Sequence, residues 1–134
     1  MSETKFRLLV VLQFVISIAA VAIVFLPAGY SQELEAAYAA EPVTWLVDGD
    51  WPSIVVVGLF LVAWLASQIG LFLFKRWGRT LSIYFTLAEF VLTPFQGPTL
   101  SSALESTLLD TSMLLWGVML ALAYFSTVSN RFER

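Results

Sequence analysis

Three long apolar runs constrain this chain more than any other feature. Leu8 to Leu26 contains only Gln13 and Ser17 as polar side chains, and Ile54 to Phe74 only Ser67 and Gln68. Leu104 to Phe125 is apolar after Asp110 and Ser112. A bilayer core about 30 Å thick takes about 20 apolar residues at about 1.5 Å each, so each run is long enough to span it. Composition agrees: 59% of the 134 residues are hydrophobic and 13% charged, against about half and about a quarter in soluble domains.

A fourth segment, 80–95, is more polar, with Ser82, Thr86, Glu89 and Thr93, and closes at Pro94. Charge placement argues that it also spans. The seven bases fall in three clusters: Lys5 and Arg7; Lys75, Arg76 and Arg79; Arg131 and Arg134. The loop 27–53 has no base and carries Glu33, Glu35, Glu41, Asp48 and Asp50. Basic residues collect on the cytoplasmic side, and only four spans put all three clusters there. The expected fold is an all-α membrane protein. It is a four-transmembrane-helix bundle with spans 8–26, 54–74, 80–95 and 104–126, in one integral membrane domain, 1–134. Both termini are cytoplasmic. The N-terminal run is longer than a signal-peptide core and reads as an uncleaved anchor.

In the outer loop, 31–40 reads as a short helix on the outer surface. Ser31 caps it, Glu33 and Glu35 suit its positive end, and Pro42 prevents continuation. Tyr30, Trp45 and Trp51 sit where interfacial aromatics belong. The loop's five acids either record the avoidance of bases in a translocated loop or offer a surface to a basic partner. Asp48-Gly49-Asp50 falls short of a calcium loop.

The candidate site lies within the spans. Ser82, Thr86, Glu89 and Thr93 are spaced four, three and four, which places them on one helical face. Ionisable residues in hydrocarbon are costly and face a bundle interior. Span one offers Gln13, Ser17 and Ala20; span two offers Trp64, Ser67, Gln68 and Leu71; span four offers Asp110, Met113, Gly117, Ala121 and Tyr124. Counted from the inner ends, Gln13 and Gln68 lie about 9 Å deep, Glu89 and Ser17 about 13 Å, and Trp64 and Trp116 about 15 Å. The expectation is an intramembrane polar cluster of Glu89, Gln13, Ser17, Gln68, Thr86, Trp64 and Trp116, with an indole N–H donating to Glu89. Asp110, about 25 Å from the inner side, falls outside it. Such a cluster is either hydrogen-bond glue between helices or a carboxylate that handles protons, cations or a ligand.

Ala66-x-x-x-Gly70 and Gly117-x-x-x-Ala121 are small-residue patterns that permit close helix packing, expected inside the monomer rather than between copies. Lys75, Arg76 and Arg79 fix topology and also suit an anionic lipid headgroup. With no histidine and no cysteine, and no phosphate loop or serine-centred triad, catalysis, a metal site, a cofactor and nucleic-acid binding are not expected.

Lys75-Arg76-Trp77-Gly78-Arg79-Thr80-Leu81, the Thr93-Pro94 turn with Gly97, and Leu122-Ala123-Tyr124-Phe125-Ser126 through Phe132 together resemble small, functionally uncharacterised four-span proteins of bacterial inner membranes. The resemblance covers Lys75 to Phe132. It implies a multi-pass inner-membrane location and no assigned activity. The absence of catalytic motifs, the small size and the small-residue faces point first to an accessory subunit acting through helix packing with a membrane partner or a second copy, next to a small oligomeric channel or proton-linked transporter using Glu89, and last to an intramembrane enzyme.

Overall fold

The computed structural model describes residues 2–26, 30–42, 44 and 49–132. Trp45, Asp48 and Arg134 lie outside the described residues. Among those described there are five α-helices and no strand: α1 (Glu3–Ile23), α2 (Gln32–Ala39), α3 (Trp51–Phe72), α4 (Arg76–Leu92) and α5 (Ala103–Phe125). Short 3₁₀ turns at Thr93–Phe95 and Ser129–Arg131 follow α4 and α5.

The helix ends have local causes. The Ser2 hydroxyl accepts from the Lys5 amide, so α1 begins ahead of its apolar run. Ser31 caps α2 through the Leu34 amide. Ser102 and Glu105 form a reciprocal capping box at the start of α5. Pro94 removes a donor just beyond α4, and the chain tightens there into a 3₁₀ turn. The α3 end is unusual. Lys75 N–H bonds the Gly70 carbonyl and Phe74 N–H the Leu71 carbonyl, a Schellman ending that normally places glycine where Phe74 sits. Phe74 therefore holds a left-handed φ of 54°. Its ring offsets that strain by packing on Phe6 and Phe132, with centroids 5.5 and 5.3 Å away.

Helices α1, α3 and α5 are long and apolar enough to cross a membrane. They run 21, 22 and 23 residues. Helix α4 has 17 residues and packs along α3, while α1 packs along α5; lighter contacts join α1 to α3 and α4 to α5. Neighbours are antiparallel. Glu3 pairs with Arg131 at 2.8 Å, whereas Ser17, further along α1, meets Ser112 at 2.6 Å. The two described chain ends therefore lie at one end of the molecule, with Lys5, Arg7 and the Lys75–Arg79 segment.

The buried apolar core sits at that end: Phe6, Val10, Leu71, Met119, Ala123, Val128 and Phe132, with Trp116 at its edge. Closest approach of α3 and α4 is between glycines. A Cβ built on Gly70 would overlap the Gly78 backbone, and the reverse holds at Gly78. At the other end, Gly97 takes a φ of 76°, which suits glycine. There the Thr44 hydroxyl donates to the Gln96 carbonyl at 3.1 Å, which ties the loop to the α4–α5 turn.

Candidate functional site

Beyond the apolar core, part of the interior is polar while much of the exterior is apolar. Gln13, Ser67, Gln68, Ser82 and Ser112 are buried, while Val15, Leu61, Val62, Leu87, Phe90 and Leu114 are exposed. Each buried polar atom then needs a partner within the protein.

Gln13 organises the centre. At 2% exposure, it donates from Nε2 to the Ser17 hydroxyl at 2.9 Å and the Ser112 hydroxyl at 3.1 Å. Its Oε1 accepts from Gln68 Nε2. One amide thus links α1, α3 and α5. Gln68 Oε1 has no partner among the described residues. Trp64 stands apart, stacked on Phe14 with centroids 5.3 Å apart and planes at 15°.

The polar stripe of α4 faces the other helices from Ser82 to Glu89, while Thr93, just beyond the helix, is exposed. Ser82 and Thr86 return their hydroxyls to carbonyls four residues back, at 2.7 and 2.9 Å, the usual satisfaction of Ser and Thr inside helices. Trp116 Nε1 donates to the Thr86 hydroxyl at 2.8 Å. The expected indole donation to Glu89 is therefore replaced by donation to Thr86, one turn nearer the basic end. Among the described residues no hydrogen bond reaches the Glu89 carboxylate.

Glu89 instead lines a cleft of about 340 Å³ together with Asp110, Gln13, Ser112, Phe85 and Trp116. The depth count placed Asp110 outside this layer, and the helix ends explain the difference. Helix α4 begins at Arg76 and ends at Leu92, so Glu89 lies three residues from its far end. Asp110 lies seven residues into α5. The two carboxylates occupy the same third of the molecule. Near the basic end, Arg79 and Tyr124 hold α4 against α5; beyond Trp116 the helices line opposite sides of the cleft.

The inner face of α5 also differs from expectation. Ser112, Trp116, Met119 and Ala123 are buried, whereas Met113, Gly117 and Ala121 are exposed. No atom lies within 4 Å of a Cβ built on Gly117, so the close contact expected there within the monomer is not made. Size misled the assignment: burial of α5 follows the indole and hydroxyl that need partners, not the small residues. Gly70 does lie at a helix contact, and Ala66 on the same helix is half-buried. The partner of Gly70, Gly78, was hidden in sequence among bases read as topology signals and a lipid headgroup contact.

The basic segment closes on the end of α5. Arg76 Nε donates to the Phe132 carbonyl at 3.2 Å, and Arg79 Nη1 to the Ala123 carbonyl at 3.3 Å. The Arg79 guanidinium lies 4.5 Å over the Tyr124 ring. Cations here complement the negative end of α5. Lys75 is exposed at the start of α4. At the opposite end, the Tyr30 phenol is raised above its ordinary pKa by desolvation, then by the Glu105 carboxylate.

Ser112 and Asp110 are the residues that sequence reasoning left out of the cluster. Ser112 was detectable, since it sits four residues before Trp116 on one helical face. Comparison of the chain with protein-family models, with curated proteins and with solved structures found no match.

Proposed function

We propose that this chain is a four-span protein of the bacterial inner membrane, with both termini cytoplasmic and α2 on the outer surface. It acts without catalysis, as an accessory subunit that associates through its helices. Support for the fourth span comes from the orientation of α4. Tyr84, Leu87, Phe90 and Val91 are exposed while Ser82 is buried, the reverse of a helix on a water-soluble protein. The clustering of bases at one end supports the orientation. The inner-membrane assignment rests on the resemblance of Lys75 to Phe132.

The observation that carries association is the open face of α5. Gly117 and Ala121 are exposed, and the space beside Gly117 is empty. A glycine and an alanine one turn apart let a second helix approach closely in a bilayer. The test is co-purification in mild detergent. The account expects a stoichiometric partner or second copy that Gly117→Ile releases while the monomer keeps its thermal stability. Retention of that partner by Gly117→Ile would overturn it.

A second reading has its own observation. Glu89 on α4 and Asp110 on α5 line one cleft, and if α4 spans, carboxylates so placed are of the kind that mark proton and cation paths. In that reading the chain is a small channel or proton-linked transporter, and flux in liposomes depends on Glu89.

A further inference from the structure

The charges of this chain are segregated along its length. Every described base lies at the end that carries the chain termini and the α3–α4 turn: Lys5, Arg7, Lys75, Arg76, Arg79 and Arg131. None of them lines the cleft that holds Glu89 and Asp110. The outer loop adds Glu33, Glu35, Glu41 and Asp50 without a base. Glu89 is half-buried and Asp110 exposed, and the described chain places no base beside either in the cleft; a carboxylate withdrawn from water is stabilised by a positive partner. A field of one sign near a cleft concentrates counter-ions of the other sign.

The walls indicate what kind of cation fits. Trp116 and Phe85 stand edge to face, with centroids 6.0 Å apart at 73°. The Thr86 bond fixes the indole before any ligand arrives, and Phe85 packs between it and Phe60. The Gln13 amide and Ser112 hydroxyl form a floor already fixed by their mutual bond. Aromatic faces attract organic ammonium groups. A volume of about 340 Å³ falls in the range of small-molecule sites. A hard metal ion asks for six or more oxygens, and among the described residues no group of three or more acids gathers to offer them.

We propose that the α4–α5 cleft binds an organic cation with an apolar body. Glu89 and Asp110 neutralise its charge, and Trp116 and Phe85 receive its apolar part. Gln96 lines the cleft and also receives the Thr44 hydroxyl bond, so the outer loop is anchored at one edge of the site. This names a ligand class for the second reading above and rests on it only for the placement of the cleft in the membrane.

The test is equilibrium dialysis of radiolabelled benzyltrimethylammonium against the full chain in lipid nanodiscs. Expected is saturable binding of one ligand per chain, weakened at least about tenfold by Glu89→Gln, the size of one lost charge-assisted contact. Asp110→Asn weakens it in the same direction, and Val62→Ala, on the exposed face of α3 away from the cleft, leaves it unchanged. The neutral isostere neopentylbenzene fails to compete. Competition by neopentylbenzene at equal concentration would overturn the proposal and assign the cleft to apolar chains such as lipid. Displacement by calcium in preference to the organic cation would overturn the ligand class. Absence of saturable binding, or equal binding by both carboxylate variants with unchanged thermal stability, would overturn the site itself. Binding without flux in liposomes retains the site and removes the transport reading alone.

Discussion

Trp116 on α5 donates its indole N–H to the Thr86 hydroxyl on α4 at 2.8 Å. That bond marks the boundary between two regions. On one side lies the aromatic and aliphatic core around Phe6, Leu71 and Phe132. On the other the cleft of Glu89 and Asp110 begins.

Thr86→Val removes the acceptor and leaves a buried indole N–H without a partner. The expected loss is about 1 kcal/mol, between the cost of an unmet bond in a protein interior and the smaller average inside membranes. Thr86→Ser restores most of it. Thermal unfolding in detergent measures both; equal midpoints for Thr86→Val and wild type would contradict the bond.

The Gln13 network predicts an order. Gln13 bonds Ser17, Ser112 and Gln68, whereas Gln68 bonds only Gln13 in the same set. Gln13→Leu breaks three bonds against one for Gln68→Leu, with Ser17 and Ser112 keeping their mutual bond, and destabilises more, by about 1 kcal/mol or above. The double variant costs less than the sum, because the partners share one bond. Denaturant titration of the three variants reads the order directly.

The glycines predict a contrast. Gly78→Ala forces a methyl group into the Gly70 backbone and costs about 1–3 kcal/mol, the range for overpacking. Gly117→Ala meets open space and raises helix propensity, so monomer stability stays level or rises slightly. Melting curves of the two variants that coincide would contradict the packing of α3 on α4.

Phe132 closes the basic end. It is fully buried, meets Phe6 and Phe74 edge to face at 5.9 and 5.3 Å, and its carbonyl receives Arg76. Phe132→Ala is expected to cost about 3–5 kcal/mol, as for other buried aromatics. Proteolysis after Arg131 follows faster in that variant; unchanged protection would show that the tail is held by the backbone bond alone.

The inward faces of α1 and α3 were legible because each apolar run holds so few polar side chains that Gln13, Ser17, Ser67 and Gln68 point to the interior by necessity. The stripe of α4 was legible from its spacing of four, three and four, which collects the polar residues on one face. Helix α5 was not. Its polar residues run from Glu105 to Ser112, and faces centred on Gly117 and on Trp116 differ by one residue, a rotation of about 100°. The sequence pattern weighted small size, while the fold satisfied the indole. The capping box of Ser102 and Glu105 carried its usual signal, a serine three residues before a glutamate ahead of an apolar run. The depth of Glu89 was missed because the bases of 75–79 hid the true start of α4.

The central claim is that α4 crosses the membrane with its polar stripe inward. The chain has no cysteine, so single cysteines can be introduced on a clean background. Ser101→Cys lies in the α4–α5 connection and Ser129→Cys beyond α5. A membrane-impermeant maleimide added to intact spheroplasts should label Ser101→Cys and spare Ser129→Cys until the membrane is opened. Labelling of Ser129→Cys with protection of Ser101→Cys, the pattern that follows if α4 stays on the inner side, would contradict the four-span account.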